Sequence, residues 1–201
     1  RKFLFLFIVS IMIILDSIAD LIYFTGFNVK IFVSCCTTFF DVPERTTAML
    51  PASILGEGYS RYMLPVYYVS NILLIVFLVA SYPHLSARSL RLTATGVILA
   101  LLNTVITVFA MFESIAPNIM NLPLHHCIYC MWQYSPDSVF MTVFFILGIF
   151  SCGWAFVIQT AGRHKETDML LKVYLRNLYL FACLSTASSL LMVTIRLLFK
   201  R

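Results

Sequence analysis

The chain has 201 residues, of which 61% are hydrophobic and 11% charged, with a formal net charge of +5. A soluble domain carries roughly 25% charged residues, so this composition excludes a water-soluble globular fold and identifies an integral membrane protein. The positive balance is not gathered into a basic run, so it reads as a topology signal and not as a nucleic-acid surface.

A membrane-crossing helix takes about 20 apolar residues, and five segments reach that length: residues 3–24, 62–82, 93–112, 138–159 and 173–195. The expected fold is all-α: a single membrane domain over residues 1–201, built as a bundle of five transmembrane helices with two longer outer-face loops. Helices are required because lipid offers no partner to open backbone groups. The first span follows Arg1-Lys2, as a secretory signal would. Its apolar run is long and no small-x-small cleavage site follows, so it is expected to stay as a helix. Asp16 and Asp20 fall in its outer half, and their spacing of four stacks them on one face. Carboxylates in a span are costly and usually face an interior or a water path. The pair is a candidate cation or proton relay; the alternative is that Asp20 reaches the interface while Asp16 pairs with a neighbouring helix.

Residues 25–61 then form a loop too long for a simple connection. It carries the adjacent pair Cys35-Cys36 among apolar residues, then an Asp41-Val42-Pro43 turn with Asp41 or Thr46 as helix caps, and Gly56-Glu57-Gly58 as a break. Pro65 is expected in the first turn of the second span, where its missing N–H costs little. The short link to the third span holds Arg88 and Arg91. Glu113, at the outer end of the third span, reads as interfacial. The second long loop, residues 113–137, contains His125-His126-Cys127-Ile128-Tyr129-Cys130. Arg163, His164 and Lys165 join the fourth span to the fifth. Cys152 and Cys183 lie within apolar helices and read as packing residues. Tyr62, Tyr67, Tyr68, Trp132 and Tyr134 gather at the outer boundary, as an aromatic belt does.

Lys and Arg in short loops face the cytoplasm. Arg1, Lys2, Arg88, Arg91, Arg163 and Lys165 therefore place the N-terminus inside and both cysteine loops outside; Arg196, Lys200 and Arg201 run against this pattern. Two thiol pairs and two imidazoles are thus expected at one face. Cys127-x-x-Cys130 puts two sulfurs within one turn, which suits two ligands of one ion or a redox disulfide. His125 and His126 add nitrogen, and thiolate with imidazole suits zinc, copper or an iron–sulfur group. Adjacent cysteines make poor disulfide geometry with each other, so Cys35 and Cys36 are expected to partner Cys127 and Cys130, in a shared ion site or in two disulfides. Disulfides that only staple the loops are a third reading.

The layout resembles the vitamin K epoxide reductase-type thiol oxidoreductases, which carry a cysteine pair after the first helix and a Cys-x-x-Cys near the fourth. Cys35, Cys36, Cys127 and Cys130 occupy comparable places, although here the loop pair is adjacent and Pro136 separates Cys130 from the fourth span. That likeness implies a quinone as cofactor. The phrases Val33-Ser34-Cys35-Cys36 and His126-Cys127-Ile128-Tyr129-Cys130 also look like a group of bacterial multi-pass membrane proteins that accompany copper-chaperone and transporter components. This second likeness implies a bacterial inner-membrane location, with a metal chaperone or other membrane subunits as partners besides the lipid bilayer. The leading expectation is a copper- or zinc-type ion held by Cys35, Cys36, His125, His126, Cys127 and Cys130. A quinone-linked thiol oxidoreductase using the four cysteines and a structural accessory subunit are the alternatives, so whether the chain is an enzyme stays open.

Overall fold

A computed structural model describes residues 2–26, 52–53, 56, 58–86, 89–162 and 168–199, which fall into two units, Arg1–Ser34 and Cys35–Arg201. In the first unit, α1 runs over Lys2–Gly26. In the second, α2 is Ser60–Ser81, tightening to a 3₁₀ turn at Tyr82–His84. Helix α3, Leu90–Ala110, continues through a π turn at Met111–Ile115 into α4, Ala116–Met120. The short α5 is Ile128–Tyr134, and the long α6 and α7 are Asp137–Ala161 and Asp168–Leu198. There is no strand among the described residues.

Among the described residues, four helical stretches, all in the second unit, are long and apolar enough to cross a membrane: Ser60–His84, Leu90–Met120, Asp137–Ala161 and Met169–Leu198. At 1.5 Å per residue they span about 37–46 Å, more than the hydrocarbon core alone. Each predicted span is lengthened at both ends, and the third changes most. Its expected end at Phe112 is overrun because the π turn absorbs both the Glu113 charge and Pro117. Helix α2 starts at Ser60, so Pro65 lies inside the helix and removes one ladder bond, to Arg61.

The helices pack in a ring, α2 beside α3, α3 beside α6, α6 beside α7 and α7 beside α2. Their inward positions recur every three or four residues. On α3 these are Thr93, Gly96, Ala100, Asn103, Thr107 and Ala110. Ile98, Leu101, Leu102, Val105 and Val108 point outward. Small and polar residues inside with large apolar ones outside is the pattern of helices that associate by close packing in lipid. Three polar residues in the bundle interior form a connected network: Asn103 Nδ2 donates to Asn71 Oδ1 (3.1 Å), Ser70 Oγ to Asn103 Oδ1 (2.7 Å) and Asn71 Nδ2 to the Tyr67 carbonyl (2.9 Å).

Helices α6 and α7 approach closely at Gly148. A Cβ on Gly148 would stand 2.5 Å from Thr186 Oγ1 and 3.3 Å from the Ala182 carbonyl oxygen. Thr186 Oγ1 is itself held to that carbonyl at 2.8 Å, so it cannot swing away without giving up a bond. Gly148→Ala is expected to destabilise the bundle by about 1–3 kcal/mol, the usual cost of overpacking, with Thr186→Ala in the same chain restoring part of it. Reversible unfolding in mixed micelles reads both; a stable Gly148→Ala protein would refute the close approach.

Contacts between helix ends define the two ends of the bundle. At one end Gln159 Nε2 donates to the Ser86 carbonyl (3.0 Å), and Arg176 reaches the Pro83 carbonyl (3.3 Å) and lies over the Tyr82 ring. At the other, Ser114 Oγ donates to the Ser60 carbonyl (3.3 Å), and Tyr68 OH meets Thr194 Oγ1 (3.1 Å). Asp137 takes two bonds from the Arg196 guanidinium there. Arg196, which runs against the topology pattern, is thus neutralised locally. Tyr62 and Tyr134 are exposed as a belt requires, but Tyr67 is 1% exposed and belongs to the core. The belt reading is corrected there: Tyr67 packs with Ile115, Met131 and Met141 at the head of the bundle.

Candidate functional site

The second long loop is expected to be irregular, and half of it is helix. Helix α4 stops at Asn121, whose left-handed backbone (φ 55°) forms its C-cap, a conformation that asparagine tolerates. Pro123 follows and prevents the helix from resuming. The chain turns, with the His125 N–H on the Leu122 carbonyl at 3.0 Å, and enters α5 at Cys127, whose extended backbone (ψ 117°) makes it the N-cap. Met131, fully buried in the core, pins α5 against the bundle head.

This route brings three of the predicted ligands together. One ligand atom each from His125, Cys127 and Cys130 lie within 4.8 Å of one another. Thiolate–zinc bonds are about 2.3 Å and imidazole–zinc bonds about 2.1 Å, so small side-chain rotations suffice to converge all three on one ion. Cys127 is buried, while His125 and Cys130 are half-buried. Neither cysteine is in a disulfide among the described residues.

His126 takes a different part. It is buried, and its Nδ1 lies 2.8 Å from the Phe112 carbonyl oxygen. A carbonyl only accepts, so Nδ1 carries the proton and donates. The π turn explains the need. In it the Ala116 N–H bonds back five residues, to Met111. In the same register the donor for Phe112 is residue 117, a proline with no N–H. The imidazole of His126 supplies that donor and ties the cysteine segment to α3.

Cys35 and Cys36 lie outside the described residues, and with them the expected four-cysteine site. Asp16 and Asp20 share one exposed face of α1 in the first unit. Cys152 is buried in the core between α6 and its neighbours, as packing residues are.

Three residues close to the cluster escaped the sequence reading. Glu113, expected at the interface, is 8% exposed within the π turn. With Asn118 and Asn121, and with Pro117 and Pro123, it lines an open cavity of about 340 Å³. A signal for it exists: Glu113 is followed four residues later by Pro117, within a run that stays apolar through Ile119 and Met120. No family model, curated protein or solved structure matches this chain.

Proposed function

We propose that the chain is a membrane protein that binds a soft or borderline metal ion through His125, Cys127 and Cys130. Its role is then metal handling at a membrane face, alone or within a larger membrane complex. The observation that carries this reading is the close approach of two thiols and one imidazole, a donor set that suits zinc and copper. Three protein ligands leave a further position for water, for a partner's ligand, or for Cys35 and Cys36. In this reading α1 makes a fifth crossing with its N-terminus in the cytoplasm, and the cysteine segment faces outward. The outer placement is supported by Arg91 in the first turn of α3, at the opposite end of the bundle.

Elemental analysis of protein purified with reductant and without chelator tests it. About one zinc or copper per chain is expected, lost on acidification because both thiolates protonate. Metal-free protein would overturn the reading.

A quinone-linked thiol relay is the second reading, favoured by one observation. Cys127 and Cys130 share a turn, with Cys130 the more accessible of the two. Their oxidation to a disulfide would send two electrons and two protons to a quinone. Metal-free protein that oxidises a dithiol when supplied with a quinone would establish it.

A further inference from the structure

The cavity beside the cluster has the chemistry of a cation site. Glu113 gives it a carboxylate, and Asn118 and Asn121 give it amide oxygens. Asn118 Nδ2 is committed to the Ser114 carbonyl at 2.7 Å. The other two lining residues, Pro117 and Pro123, have carbonyls but no N–H. The N–H groups of Asn121 and Leu122 are both spent on the Pro117 carbonyl. None of the five lining residues is basic. The wall thus offers a carboxylate, amide oxygens and proline carbonyls with no cationic side chain among its five residues, a composition that suits a hydrated cation.

The cavity also adjoins the cluster. Pro123 is two residues before His125, so their Cα atoms are at most about 7.6 Å apart. Glu113 follows Phe112, whose carbonyl holds His126 at 2.8 Å. The cavity and the thiol–imidazole ligands are thus neighbours along one segment of chain, Glu113 through Cys130.

We propose that this cavity is the antechamber of the metal centre, where Glu113, Asn118 and Asn121 hold a hydrated divalent cation before it passes to His125, Cys127 and Cys130. The proposal rests on the metal-binding reading above and goes further by naming the ion. Carboxylate and amide oxygens bind Zn²⁺, but they are poor ligands for Cu(I), which selects soft sulfur donors. An oxygen-lined approach fits zinc.

The test uses the full chain in lipid nanodiscs with Trp154→Phe as background, leaving Trp132, two residues from Cys130, as the only tryptophan. Uptake of Zn²⁺, and separately of Cu(I), is followed by stopped-flow competition with a chromophoric chelator, and Trp132 emission reports folding. Glu113→Gln is expected to slow zinc uptake about tenfold, the low end of electrostatic steering effects on association, with the final stoichiometry unchanged and Cu(I) uptake unaltered. Asn121→Gly keeps the left-handed backbone that the turn needs and removes one amide oxygen; it should slow zinc uptake in the same direction. If Glu113→Gln does not fold, Asn121→Gly decides. Wild-type zinc uptake in a folded Glu113→Gln or Asn121→Gly protein overturns the antechamber, as does equal slowing of zinc and Cu(I). Failure of the underlying metal reading looks different: Cys130→Ser then keeps its ion.

Discussion

Cys130→Ser protein is expected to bind its ion at least ~100-fold more weakly than the wild type, beyond the 10–100-fold that changes in supporting residues cost. The reason is coordination arithmetic. Only three ligand atoms, from His125, Cys127 and Cys130, share the site among the described residues. A serine hydroxyl stays protonated at neutral pH and is a far poorer ligand than thiolate for zinc or copper. Cys127→Ser should match it, and His125→Ala should follow with a smaller loss. Chelator competition at fixed pH reads all three. Affinity within threefold of wild type in Cys130→Ser would sink the metal site and favour the thiol relay, in which the same change abolishes disulfide transfer and leaves any bound ion alone.

His126→Ala should instead act on stability and affinity together. It removes a donor from the Phe112 carbonyl, in a turn where Pro117 has none to give. Losing one hydrogen bond costs about 0.5–1.5 kcal/mol net, and the loss of the buried imidazole leaves a cavity as well. The cysteine segment then loses its tie to α3, so ion affinity should fall by roughly the 10–100-fold typical of residues that orient ligands. His126→Gln, whose amide can still donate, should recover most of the stability. A destabilised His126→Ala protein with unchanged affinity would show that the tie does not position the ligands. Unchanged stability would show that it is not made. His125→Ala, by contrast, should weaken binding with little effect on unfolding, so the two adjacent histidines separate ligation from support.

Sequence periodicity made the bundle legible, because long apolar runs leave no choice but helices. The inward stripe is not legible from those runs. In lipid it is small and polar residues that turn inward, so the usual rule of apolar positions facing the core points the wrong way. Thr93, Gly96 and Asn103 carry no signal that a water-soluble protein would have taught. The ends of the helices were misread for a simpler reason. Glu113 and Pro117 are each a normal stop signal, and a π turn that buries one and accommodates the other leaves no local trace. At the site, Cys127 and Cys130 were legible from spacing, since three residues make less than one helical turn. The two histidines were not distinguishable. Which way an imidazole points depends on the Phe112 carbonyl, 14 residues earlier in the chain.

The π turn also works as a phase shifter for the chain that follows it. One residue more than an α-helix needs is accommodated between Met111 and Ile115, and each residue rotates a helix by about 100°. Upstream, α3 buries one narrow stripe; in the π turn itself Met111, Glu113, Ser114 and Ile115 are all buried. Of the α4 residues, Ala116, Pro117, Ile119 and Met120 are buried. Deleting a single residue from this stretch would leave the apolar content and the length of the span nearly unchanged, yet would turn Asn118 and Asn121 about a quarter of the way round the axis. A change of length by one residue is therefore expected to be excluded from this stretch.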